Sequence, residues 1–311
     1  MKCSKCNRTG NLIELKYEKK FLCSQCFLRL FEKRVRRTIR LNKLLKPDDK
    51  TAVALSGGKD SSTVLYILKK HSEKIRKSEL VAITIDQGIG KYQKKCLKAA
   101  EGLCSDLGIE NHVYSFEEEF GITLDELVRK SKNLESTALP CTYCGILRRK
   151  LINERARELG ITKIATGHNL DDEIQASLMN YIRGDLDRIA RMGAIVGVIK
   201  DKKFIPRIKP LRECPENEVL QYATLRSLNF AKGKCPYPKE AFRQTVRNVI
   251  DKIEENHPGS KFQLLRSTDR LIQIFRERVE ISKLKKCRIC MEPSSSEICK
   301  FCQIRGEFGL Q

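Results

Sequence analysis

The chain has 311 residues, with 61 Lys and Arg against 39 Asp and Glu, a net charge of +22 and a pI near 9.5. Such a length suits one α/β domain with small appendages, and such a charge points to nucleic acid as partner. No apolar run reaches the roughly eighteen residues a membrane span needs, and no apolar signal core opens the chain, so a cytoplasmic protein without membrane contact is expected.

Tryptophan is absent and aromatics are few, which disfavours a single-strand binder built on stacking and favours folded RNA. Fourteen cysteines in a cytosolic setting argue for metal rather than disulfides. Ten of them fall in five Cys-x-x-Cys pairs.

The first two pairs, Cys3/Cys6 and Cys23/Cys26, frame a possible hairpin over Asn11 to Phe21 and read as a four-thiolate zinc module. A module this small needs the metal to fold. Phe27 to Lys46 has helical apolar spacing, and Arg29, Lys33, Arg34, Arg36, Arg37, Arg40 and Lys43 make it a candidate phosphate-contacting helix. Pro47–Lys50 reads as a linker. Thr51–Leu55 is a buried strand, followed by Ser56-Gly57-Gly58-Lys59-Asp60-Ser61-Ser62 and a helix. Strand, glycine turn and helix aim backbone N–H groups and a positive helix end at an anion. The pattern lacks the Walker A spacing. It resembles the PP-loop of the N-type ATP pyrophosphatases, which split ATP between the α and β phosphates.

Leu80–Asp86 is a second strand, Tyr92–Leu107 a helix carrying Cys96 and Cys104 as core residues, and Asn111–Phe116 a third strand with a structural His112. Phe120–Lys132 reads as one helix. Cys141 and Cys144 fall in a loop before a helix over Gly145–Leu159 that carries Arg148, Arg149 and Lys150. Ile161–Thr166 is a fourth strand running into Gly167-His168-Asn169-Leu170-Asp171-Asp172-Glu173 and a helix to about Tyr181. Alternating strands and helices predict a parallel sheet with ligands at the carboxyl ends of its strands. Arg183–Met192 is basic, Phe204–Leu211 is punctuated by prolines, and Glu216–Arg226 is helical. Helices follow over Phe242–Asn256 and Lys261–Lys283. Cys287, Cys290, Cys299 and Cys302 form a second four-thiolate module. The expected divisions are 1–27 (zinc finger), 28–50 (basic helix and linker), 51–240 (catalytic domain), 241–284 (helices) and 285–311 (zinc finger).

Cys141 and Cys144 need a third thiol to complete a metal site. Cys235, in a Lys-Cys-Pro-Tyr loop, is the best placed; Cys214, before Pro215, competes, and a structural zinc is an alternative use. The ordered set of motifs resembles the TtcA/TtuA superfamily of tRNA thiolation enzymes, in the branch of archaeal and eukaryotic-type 2-thiouridine synthetases. The resemblance covers essentially the whole chain. It implies an adenine nucleotide alpha hydrolase-like α/β fold and a [4Fe–4S] cluster on Cys141, Cys144 and Cys235, and it leaves Cys214 as structural. It further implies ATP held by Ala54, Leu55, Ser56, Gly57, Gly58, Lys59, Asp60, Ser61, Ser62, Ile85, Gly167, His168 and Asp172, with Mg²⁺ near Asp60 and Asp172. Lys59 and Asp60 join the three cysteines as expected catalytic groups.

The implied reaction adenylates the C2 oxygen of a tRNA uridine, favouring the wobble position, and then replaces AMP by sulfur. Sulfur would come from free sulfide or a ubiquitin-like thiocarboxylate carrier, through the cluster or a persulfide on Cys141 or Cys235. A homodimer is expected. Rival readings are T-loop thiolation, a PP-loop amide ligase and a non-catalytic zinc RNA-binding protein.

Overall fold

The computed structural model describes residues 1–73, 78–134, 138–196, 203–237, 241–278 and 285–310. The chain opens with the antiparallel hairpin β1 (Leu12–Leu15) and β2 (Lys20–Cys23), whose strands pair Leu12 with Cys23. Helix α1 (Ser24–Leu41) follows directly. It stops five residues short of the expected Lys46, because Lys43 adopts a left-handed φ of 49° and the Leu44 N–H turns back to the Ile39 carbonyl at 3.0 Å.

Next come β3 (Lys50–Ala54), α2 (Lys59–Ser72), β4 (Glu79–Asp86), α3 (Gly90–Leu107) and β5 (Asn111–Ser115). The helix expected over Phe120–Lys132 is two: α4 (Phe116–Phe120) and α5 (Leu124–Asn133). Gly121 ends the first at φ 67°, and Thr123 with Glu126 forms a capping box that restarts the second. Helix α6 (Pro140–Glu158) starts earlier than expected, with Pro140 in its first turn. Cys141 and Cys144 therefore sit on a helix, not in a loop.

Then come β6 (Lys163–Ala165), α7 (Leu170–Ile182), α8 (Leu186–Ala190), β7 (Ile195–Val196), β8 (Arg207–Ile208) and α9 (Glu216–Leu225). The chain continues through α10 (Ala241–Asn256), α11 (Ser260–Arg278), β9 (Lys285–Lys286), β10 (Pro293–Ser294) and α12 (Lys300–Phe308). The end of the helix expected up to Lys283 lies outside the described residues.

The main sheet has the order β5-β4-β3-β6-β8-β7, parallel except for β7. Alternation along the strands sends Val53, Ala82, Ala165 and Ile208 to one face, packed with α1, α2, α3 and α9. Phe27, Phe31, Val35 and Ile39 of α1 join this core, so the N-terminal module is continuous with the catalytic body. Ala52, Ile83, Ile85 and Ile164 point to the other face, packed with α5, α6 and α12. Helices α10 and α11 cover α7 through Val246, Ile250 and Leu265. Cys96, Cys104 and Cys214 are buried, as expected of core residues.

The basic face of α1 is only partly free for phosphate. Arg34 is ion-paired with buried Glu218 at 2.7 Å and donates a hydrogen bond to the Tyr17 hydroxyl at 2.5 Å, which corrects its expected role. Arg37 pairs with Glu213 and Arg36 with Glu32, whereas Arg29, Lys33, Arg40 and Lys43 remain exposed.

Candidate active site

The PP-loop is shaped by two close approaches. Gly57 has φ 74°, and a Cβ there would meet the Cys96 carbonyl oxygen at 2.1 Å, so α3 backs the loop directly. A Cβ on Gly167 would meet the Ser61 nitrogen at 2.8 Å, so the β6–α7 turn lies on the first turn of α2. Within the loop, the Ser56 N–H donates to the Ser61 Oγ at 3.1 Å, and the Ser61 hydroxyl donates to the Gly58 carbonyl. The Ser62 hydroxyl is buried without a partner.

A cavity of about 500 Å³ opens at the carboxyl edge, under α6. That is ample for a nucleotide. Ala54, Leu55, Ser56, Asp60 and Ser61 line it from the PP-loop side; Ile85 lines it from β4, and Gly167, His168 and Asp172 from the β6–α7 turn. Gly57, Gly58 and Ser62 shape the loop without lining the cavity. The Lys59 ammonium is held aside by Asp60 at 2.8 Å and Glu216 at 3.0 Å. Asp86 is spent on the Gly88 N–H, and Gln87 lines the cavity in its place.

The electrostatics divide the cavity. The Asp60 carboxylate accepts from the Asn169 amide, and Asn169 and Asp172 cap α7 reciprocally. Burial and the charge of Asp60 push the Asp172 carboxyl up. These are paired acids that a divalent cation would suit. His168 faces the cavity and hydrogen-bonds the Thr166 hydroxyl through Nδ1 at 2.8 Å. Burial and nearby Lys209 bring its pKa down to about 4, so it works as a neutral imidazole.

The expected basic cluster 148–150 divides. Lys150 pairs with Glu154 and stands over Phe301, away from the cavity, while Arg148 and Arg149 line it. Arg207 and Lys209 line it too, and sequence reasoning missed both as site residues. Their signal was Arg-Ile-Lys spacing, which on a strand places both on one face.

Cys141 and Cys144 stand three apart in the first turn of α6, on one side of the helix. Cys235 comes to them on a loop tied down twice. The Ala231 N–H donates to the Gly57 carbonyl at 2.8 Å, and the Tyr237 hydroxyl bonds Asp125. Burial and the charges of Cys141 and Cys235 push the Cys144 thiol up, and Arg148 opposes them. Arg148 also disfavours the protonation of His168. The thiol set and the nucleotide cavity therefore share one arginine.

Two other groups of four thiols, Cys3/Cys6/Cys23/Cys26 and Cys287/Cys290/Cys299/Cys302, have all their sulfurs within 4.8 Å of one another. In each, a sulfur pair stands 3.7 Å apart, close to the ~3.8 Å separation that Zn–S bonds of about 2.3 Å impose on a tetrahedron. Backbone N–H groups, of Cys23 and of Cys290 respectively, hold Cys3 and Cys287 down to about 6. Cys141, Cys144 and Cys235 do not form so tight a group among the described residues.

Known proteins resemble this chain along most of its length. The PP-loop domain family matches residues 31–253. The tRNA 2-thiolation protein NcsA of Haloferax volcanii is 37% identical over 319 residues, 98% of each chain. The tRNA-5-methyluridine(54) 2-sulfurtransferase of Pyrococcus horikoshii is 35% identical across 98% of this chain and 94% of its own. The solved U34-tRNA thiolase NcsA from Methanococcus maripaludis, with its [4Fe–4S] cluster, matches with a TM-score of 0.85. Its identity is 37%, over 99% of this chain and 96% of that one.

Proposed function

Because the chain belongs to the PP-loop family of tRNA-thiolating sulfurtransferases, we propose that it converts the wobble uridine of tRNA to 2-thiouridine. The observation that carries this reading is the junction of nucleotide cavity and thiol set, tied by the Ala231–Gly57 bond and flanked by Arg148.

ATP enters with its base against Ala54, Ile83 and Ile85 and its phosphates at the PP-loop. The uridine C2 oxygen attacks the α phosphate, AMP is left on that oxygen, and pyrophosphate departs. Backbone N–H groups at the start of α2 and the Ser56 and Ser61 hydroxyls receive the departing charge. Lys59, released from Asp60 and Glu216, adds its cation. Asp60 and Asp172 would hold Mg²⁺, which would supply charge to offset that of the leaving group. Neutral His168 lines the pocket without drawing charge from the phosphates.

Cys141, Cys144 and Cys235 would hold a [4Fe–4S] cluster through three thiolates. Such a cluster, when bound, supplies an iron without a protein ligand, a Lewis-acidic place for inorganic sulfur. Arg148 keeps positive charge between thiols and nucleotide while sulfur displaces AMP. The two terminal four-cysteine groups would each hold a zinc ion, which would supply folding energy to those small modules. Free sulfide or a thiocarboxylate carrier supplies the sulfur, and the protein works as a cytoplasmic homodimer.

The test is nucleoside mapping by mass spectrometry. Unmodified tRNA is incubated anaerobically with the cluster-loaded protein, ATP, Mg²⁺ and sulfide. Sulfur at the wobble uridine supports the proposal. Sulfur in the T-loop moves the assignment to the second position, which the similarity to the Pyrococcus horikoshii enzyme favours.

A further inference from the structure

Three arginines line the cavity: Arg148, Arg149 and Arg207. The other basic side chains there are already matched. Lys209 is paired with buried Glu173 at 2.5 Å, and His168 is neutral. None of the three arginines has an ion pair with a carboxylate among the described residues. Arg207 instead donates to the Arg149 carbonyl at 3.3 Å. Burial together with the charges of Arg149 and Arg148 lowers Arg207 to about 10, and burial and Arg148 lower Arg149. The Cys144 thiolate offsets Arg149 only in part and only like charges bear on Arg207, so the wall holds more positive charge than the fold matches and suits an anion that arrives.

Its place in the sheet separates that anion from the ATP phosphates. The PP-loop follows β3, and the apolar base slot lies toward β4. Arg207 is on β8, level with Ile164 of β6, which is level with Ala52 of β3. With strands about 4.8 Å apart, its backbone stands about 10 Å from the β3 strand, on the side away from the base slot. A nucleotide laid from β4 to the PP-loop leaves this wall uncovered.

We infer that Arg149 and Arg207 form a second phosphate subsite, which holds a backbone phosphodiester next to the target uridine while the PP-loop holds ATP. This rests on the reading that a tRNA nucleotide enters the cavity. A phosphodiester held at β8 fixes the flipped nucleotide so that its C2 oxygen faces the α phosphate at β3.

The experiment compares wild type with Arg207→Gln and Arg149→Gln in the full-length, zinc- and cluster-loaded protein. ATP affinity is measured by calorimetry. Affinity for unmodified tRNA is measured across a salt series, and again for tRNA with uncharged methylphosphonates flanking the target uridine. The inference expects wild-type ATP affinity and tRNA binding weakened about tenfold or more. It expects a salt slope shallower by about one, and a methylphosphonate penalty that is present in wild type and lost in the variants.

Unchanged tRNA binding with weakened ATP binding would assign the wall to the triphosphate and overturn the inference. So would a methylphosphonate penalty that persists undiminished in both variants. A wild-type protein without affinity for tRNA would sink the thiolation reading itself, and that failure is recognised because it precedes any substitution. Thermal unfolding keeps the comparison clean: relief of repulsion leaves both variants at least as stable as wild type.

Discussion

The backbone N–H of Ala231 donates to the carbonyl oxygen of Gly57 at 2.8 Å, which ties the loop that carries Cys235 to the loop that would carry pyrophosphate. Gly57 can serve both partners only because it has no side chain. Its φ of 74° and the 2.1 Å approach of a Cβ to the Cys96 carbonyl leave no room for one. Gly57→Ala is therefore expected to abolish ATP binding and to destabilise the protein by about 2 kcal/mol or more. It should also weaken retention of iron, since the Cys235 loop loses its anchor. Calorimetric ATP titration and denaturant unfolding, with iron assayed in parallel, check all three outcomes.

Helix α1 separates structural from RNA-facing cations. Arg34 and Glu218 are almost fully buried together. Glu218→Ala leaves a buried guanidinium unpaired and should cost about 3–5 kcal/mol. Lys33→Ala and Arg40→Ala should leave stability unchanged and lower tRNA affinity, each with a shallower salt dependence. Unfolding curves and filter binding across a salt series distinguish the two groups. A destabilised Arg40→Ala variant would contradict the division.

His168 gives stability a pH dependence with a definite sign. Its folded pKa is about 4, against about 6.5 in the unfolded chain. Between these values the unfolded state binds more protons, so stability falls as pH falls through this window and is flat above it for this group. Solvent in the cavity moderates the size of the effect. His168→Asn, which keeps a hydrogen-bond partner for Thr166, should remove that part of the slope. Urea midpoints measured from pH 4 to pH 8 for both proteins check it.

Much of this arrangement is legible in the sequence because it rests on local pattern. The parallel strands announce themselves as apolar runs, and the two terminal modules as spaced Cys-x-x-Cys pairs. The PP-loop and the β6–α7 turn come together because both lie at the carboxyl ends of adjacent strands. What the sequence hides depends on contacts between distant segments. Strands β7 and β8 are two residues long, too short for a periodic signal, and β8 sits between Pro206 and Pro210, so Arg207 and Lys209 read as loop residues. Arg34 looks like one more surface cation until Glu218, 184 residues away, is folded against it. Cys141 and Cys144 read as a loop ahead of a helix from Gly145, whereas the helix starts at Pro140, a residue at home in a first helical turn, and takes both in.

The central claim is that Cys141, Cys144 and Cys235 hold a [4Fe–4S] cluster beside the nucleotide cavity, while the other Cys-x-x-Cys pairs hold zinc. The most direct test is anaerobic purification of wild type and Cys235→Ala, followed by iron, sulfide and zinc analysis and an electronic spectrum. The account predicts about four irons, four sulfides and two zinc ions per wild-type chain, and iron lost from the variant with zinc retained. About three zinc ions and no iron in the wild type would contradict it.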